Sequence, residues 1–239
     1  MRSTPRLPRP VRLSVWANAW SSGQASLDEA VALARGDDPP HVVAAPDGAP
    51  EPLIMGFRRI FEGETALAVL PVPGFLLGLA GPDGFNKSAV ATGGAVLADG
   101  TGLIPEAAGD LVVWHTHEIV PSHHYESLRE AGLRMREALA AAAASFQDAE
   151  LRPAREALLD ELVAAERPVD LPLPVSFDEA DERLIVTALR CLSLTQGSLA
   201  DHTADLSASA ATLRTTTLRA LDHAARRVLV AASAHHPRR

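Results

Sequence analysis

The feature that most constrains this chain is a change of pattern at Pro121. Before it, short apolar runs of strand length alternate with helical spacings; after it, apolar residues recur every three or four positions almost to the end. Such an order predicts an α+β fold, with a small mixed β-sheet and flanking helices in the N-terminal half and a four-helix all-α C-terminal half. The expected organisation is a flexible, basic, Pro-rich arm over 1–12, a mixed α/β domain over 13–120 and a helical subdomain over 121–239. With 239 residues, 47% of them hydrophobic and 22% charged, the chain can bury a core without covalent staples, which excludes a wholly disordered or collagen-like polymer.

Local signals place the elements. Leu13, Trp16, Ala17 and Trp20 share one helical face, where core packing is their expected role, and Ser26 with Glu29 forms a capping-box pattern for a second helix that stops at Gly36. Residues 41–45 read as a strand, 53–63 as a helix, 65–72 as a strand and 84–92 as a short helix. Two strands follow around Asp99-Gly100, and another covers 110–120. In the second half, Leu128, Gly132, Met135, Leu139, Ala142 and Phe146 form one stripe, and Pro153 suits the first turn of the next helix. Residues 167–176 carry three prolines and read as a linker, after which Ser176 and Glu179 are expected to cap a third helix. The last helix is expected over about 206–234. Leu218, Leu229 and Val230 lie off its main stripe, which predicts a homodimer through the C-terminal helices.

Charge narrows the partners. The formal net charge is −8, and residues 13–120 hold four basic against thirteen acidic side chains, so nucleic acid is excluded as a bulk partner. Arg2, Arg6, Arg9 and Arg12 make the first twelve residues a basic leader on an acidic body. The most apolar run, 66–81, is interrupted by Pro71, Pro73, Gly74 and Gly78 and is shorter than the roughly 20 residues that span a bilayer. No membrane partner is expected. A single cysteine, Cys191, and no secretory leader point to the cytoplasm.

Candidate chemistry is sparse. His115, His117, His123 and His124 cluster in sequence, and His115 and His117, two apart on a strand, share a face as metal-holding histidines often do. The stretch lacks a third ligand and a base, since Glu118 falls on the opposite face. The loop GPDGFNKS (81–88) is one residue from a phosphate-binding loop, but Asn86 stands where a glycine is needed and Pro82 removes a backbone donor. The acidic runs start helices or lie on exposed faces, and Cys191 sits in an apolar helical pattern. As a ligand or partner surface, the 71–86 loop and the residue after it stand out: Phe75, Leu76, Leu77, Phe85, Asn86 and Lys87 join apolar tips to polar groups on a Pro/Gly-shaped excursion.

The order LAVLPVPGFLLGLAGPDGF (67–85), GTGLIPE (100–106), a strand bearing Trp114 and an Arg/Ala-rich helical half resembles a family of uncharacterised actinobacterial proteins. That resemblance implies no catalytic residue and no cofactor. The reading is therefore a non-enzymatic cytoplasmic binding or scaffold protein, with a metal-dependent hydrolase centred on His115 and His117 as the alternative.

Overall fold

The structure is a computed structural model that describes residues 5–44, 49–79, 81–120, 126–147, 151–165, 167, 169–200 and 207–235. His123 and His124 lie outside the described residues. The architecture is α+β, and the chain divides into two compact units. One holds Leu7–Tyr125 with Pro172–Phe177 and Val230–Arg239; the other holds Met1–Arg6, Glu126–Leu171 and Asp178–Leu229.

The sheet unit begins with α1 (Arg9–Ser21), α2 (Leu27–Arg35), β1 (His41–Ala44), β2 (Glu51–Pro52) and α3 (Leu53–Phe61). It continues with β3 (Leu67–Val69), α4 (Asp83–Thr92), β4 (Ala95–Ala98), β5 (Thr101–Ala108) and β6 (Leu111–Glu118). The strands lie in the order β2-β1-β6-β5-β4-β3; β1 and β6 are parallel and all other pairs antiparallel. Gly100 and Gly109, at φ +76° and +59°, allow the two-residue turns that join β4 to β5 and β5 to β6.

Partners across a ladder share a face, so the register assigns every strand residue to one side. Val43, Trp114, Leu103, Val96 and Ala68 belong to one face. There α3 sits close on β1, where Gly56 lets the backbone approach Val43: a Cβ at Gly56 would lie 2.5 Å from its Cγ2. The other face carries Leu67, Leu97, Gly102, Ile104, Glu106, His115, His117 and Ala44. Phe85 and Ala89 of α4 pack on its β3–β4–β5 end, in one buried cluster with Leu67, Val69, Ala95, Leu97 and Ile104.

The expectation of a flexible arm over 1–12 needs correction from Leu7 onward. Leu7 and Val11 are buried, and Arg9–Arg12 form the first turn of α1, with Pro10 near its start where a missing N–H is tolerated. Arg12 is buried because its charge is answered on all sides. Its guanidinium donates to the carbonyls of Ala34 and Arg35 at the C-terminal end of α2, each at 2.7 Å, and to Asp38. Arg9 donates to the same carboxylate at 2.9 Å.

The helical unit contains α5 (Leu128–Ser145), α6 (Arg152–Ala165), α7 (Glu179–Ala200) and most of α8 (Ala208–Ser233). Leu128, Gly132, Met135, Ala142 and Phe146 are buried along α5 as the stripe predicts, and a capping box of Ser127 and Glu130 opens it. The start of α7 differs from expectation. Asp178, not Ser176, supplies the cap, accepting from the Asp181 N–H at 2.8 Å, because a turn closed by Phe177 N–H on the Pro174 carbonyl delays the helix by two residues. Leu218 and Leu229 are buried within this single chain, at 2% and 0% exposure, so they supply no uncovered face for a second copy.

Candidate functional site

Helix α4 covers only part of its sheet face. Beyond it a groove of about 730 Å³ opens, lined by Ala44, Ser88, Ala91, Thr92, Ile104, Glu106, His115, Thr116, His117 and Glu118. Its floor and one wall come from the β5–β6 hairpin. The Gly109-Asp110 turn pairs Ala108 with Leu111, and this register sets Ile104 opposite His115 and Gly102 opposite His117. Glu106 then falls diagonally beside His115, and its Oε2 lies 2.9 Å from His115 Nε2.

His117 is held differently. The Phe85 ring meets it edge-on, centroids 5.5 Å apart, and Phe85 itself is buried because Gly102 leaves the space the ring occupies. A Cβ at Gly102 would lie 2.4 Å from Phe85 Cε2. Burial, and secondly the neighbouring His115, push the His117 pKa below its usual value, so at neutral pH the ring is an uncharged donor and acceptor. Thr116 on the other face donates to the Ala44 carbonyl at 3.0 Å and ties β6 to the end of β1.

His115 and His117 thus share a face as expected. Among the described residues no group of three or more His, Cys, Asp or Glu side chains is placed to hold a metal ion. The regular strand sends Glu118 to the opposite side, and Glu106 engages His115. Cys191 lies in the other unit, where burial and then Glu161 push its thiol up to about 12, so it is an inert core group.

The six residues singled out on the 71–86 excursion separate by role. Phe85 is core, 2% exposed, and so is no surface residue; the Gly102 gap explains why. Asn86 clamps its own loop, donating through Nδ2 to the Gly81 carbonyl at 2.8 Å and accepting from the Gly81 N–H at 3.2 Å. Phe75 and Leu77 are half-buried, while Leu76 and Lys87 are exposed. The groove begins at the next residue, Ser88. Sequence reasoning missed Glu106, Ser88 and Thr92; the Gly109-Asp110 pair was the available signal for Glu106, since a two-residue turn there fixes the whole β5–β6 register.

Two family matches cover nearly all of these elements: Rv1486c-like protein, N-terminal domain, over residues 10–127, and Rv1486c-like protein, C-terminal domain, over residues 129–230. The chain belongs to the Rv1486c-like family. This is the uncharacterised actinobacterial family that the LPVPG, GLAGP and GLIPE order resembles. Similar curated relatives are the uncharacterized proteins MT1533 and Rv1486c of two Mycobacterium tuberculosis strains, each 34% identical over 40% of this chain and 43% of its own length. The matched stretch therefore spans less than half of those relatives. No solved structure matches the chain.

Proposed function

We propose that this member of the Rv1486c-like family is a non-enzymatic binding protein and that the groove on the open sheet face receives its ligand. The carrying observation is the groove itself: a concave, mixed apolar and polar surface of small-molecule size, built on a β-hairpin and a helix rather than on loops. Its polar groups converge without a nucleophile and base paired for attack, which favours recognition over turnover. Exposed Leu76 and Lys87, on the excursion that leads into α4, would extend the same surface. A ligand-observed NMR screen against a fragment library tests the reading. Fragments bound by the full chain should be lost in Ala91→Trp, which puts an indole into the groove from the exposed side of α4; binders that persist unchanged in that variant would contradict it.

We also infer a cytoplasmic, self-associating protein. In support, no helix among the described residues is long and apolar enough to cross a membrane. Leu159 and Val163, 49% and 60% exposed and one turn apart on α6, are the apolar pair a second copy would cover. Light scattering at tens of micromolar should give a dimer that Leu159→Glu with Val163→Glu dissociates, and a monomer would overturn the inference.

A further inference from the structure

We propose that the groove takes a small organic cation, an ammonium or amidinium group carried on an apolar body. The claim rests on the reading of the groove as a binding site and adds the chemistry of its ligand. On the groove's sheet face the lining holds one carboxylate, Glu106, and the whole lining holds no lysine or arginine; Glu118 borders the groove from the opposite side of β6. Its remaining polar groups lean toward accepting. Glu106 uses Oε2 on His115, and the exposed Ser88 hydroxyl lines the same groove. The Thr92 hydroxyl already directs its proton to backbone carbonyls, the nearest being that of Ser88 at 3.0 Å, so toward the groove it offers lone pairs. His117, neutral at pH 7, presents a ring nitrogen lone pair and one N–H.

An acceptor-rich wall is complemented by a donor. An anion entering here would face the Glu106 carboxylate with no lysine or arginine in the lining to answer it, whereas an ammonium or amidinium meets a charge-assisted acceptor at short range. The wider field has the same sign, since residues 13–120 carry thirteen acidic against four basic side chains. The apolar share of the lining, Ala44, Ala91 and Ile104, has no use for a bare inorganic cation and fits a hydrocarbon or aromatic body. A groove of about 730 Å³ accommodates a molecule of that kind.

The test uses the full chain and three probes of one shape: phenethylamine, neutral 2-phenylethanol and anionic phenylacetate, followed through the His115 and His117 ring-proton signals at pH 7. Phenethylamine should shift both rings saturably and bind about tenfold or more tightly than 2-phenylethanol, with phenylacetate weakest. Glu106→Gln, which keeps size and polarity, should weaken phenethylamine by about tenfold while the amide spectrum stays native, and Glu118→Gln, on the opposite side of β6, should weaken it less than Glu106→Gln does. Lys87→Ala, which removes an exposed cation on α4 beside the lining, should raise that affinity. Equal binding of the three probes, or preference for phenylacetate with loss in Lys87→Ala, would overturn the cation claim while leaving the groove as a binding site. Failure of all three probes to move either ring would also overturn it, and the fragment screen with Ala91→Trp then decides the groove reading separately.

Discussion

The side chain of Asn18 on α1 serves as a strand for Ala66: its Oδ1 accepts from the Ala66 N–H at 2.8 Å, and its Nδ2 donates to the Ala66 carbonyl at 2.8 Å. The second Nδ2 proton goes to the Ser233 carbonyl at 2.6 Å, and the Ser233 hydroxyl in turn accepts from the Ala68 N–H at 2.9 Å. The open edge of β3, a surface that would otherwise offer unpaired backbone groups, is thereby closed from within the unit. All of these groups are buried, so removing one partner leaves the others unsatisfied in a medium that water does not reach.

Asn18→Ala should accordingly destabilise the fold by about 2–4 kcal/mol, more than an average core truncation of that size. Urea unfolding, read as a fall in midpoint, measures it. Asn18→Asp retains the shape but removes both donors and sets a carboxylate against two carbonyls, so it should be at least as damaging. A loss under 1 kcal/mol in either variant would show that water or a shifted backbone replaces the amide.

Acid sensitivity should trace to His41. Burial, outweighing the attraction of Asp38, brings its pKa down to about 4, and its Nδ1 accepts from Trp114 Nε1 at 3.3 Å. The unfolded chain binds a proton there from about pH 6.5 downward while the folded chain resists until about 4. The contribution is therefore complete above pH 6.5 and is lost as the pH falls toward 4, on the order of 2–3 kcal/mol in all. Asp38 acts lower. Burial alone would raise its pKa, but Arg9 and Arg12 hold it at about 2, so its share is lost only below pH 3.8. Denaturation between pH 4 and 7 should flatten in His41→Gln. An unchanged slope would move the acid limb to another group, His117 or His223, whose pKa values burial also lowers.

Much of this fold was legible because local and tertiary signals agree. The Ser26–Glu29 cap, the Gly36 stop, the Asp99-Gly100 turn and the α5 stripe each depend on spacing that a sequence displays directly. The buried Arg12 was not legible, because what permits it is Asp38 and the end of α2, brought together only by folding. Phe85 looked like a surface residue for a similar reason: its exposure depends on a missing side chain at Gly102, on another element. The shared face of His115 and His117 followed from strand alternation, whereas Glu106 needed the register of the partner strand.

Gly102 should be intolerant of any side chain. Gly102→Ala puts a methyl into the Phe85 ring, which is enclosed and cannot swing aside, so we expect a loss of about 1–3 kcal/mol and a changed His117 environment. Phe85→Leu in the same background should recover part of the loss. Absence of any rescue would place the damage in the β5 backbone instead.

Leu77 offers the opposite test. It sits at φ +33° just before Gly78 at +78°, in a turn closed by Leu79 N–H on the Leu76 carbonyl at 3.1 Å. A branched side chain is strained in that region, and Leu77→Asn or Leu77→Gly should be neutral or stabilising by about 1 kcal/mol despite the lost apolar contact. A clear loss would mean that the half-buried leucine contributes more through packing than its backbone strain removes.

Where a ligand lands decides between the groove and the exposed α6 pair as the binding surface. Amide chemical-shift mapping of the full chain with the tightest fragment from the screen should concentrate perturbations at Ser88, Ala91 and Thr92 of α4 and at Ile104, Glu106 and His115–Glu118 of the β5–β6 hairpin. Perturbations centred instead on Leu159 and Val163 of α6, or a library that yields no binder perturbing the hairpin, would contradict the assignment of this groove as the binding site.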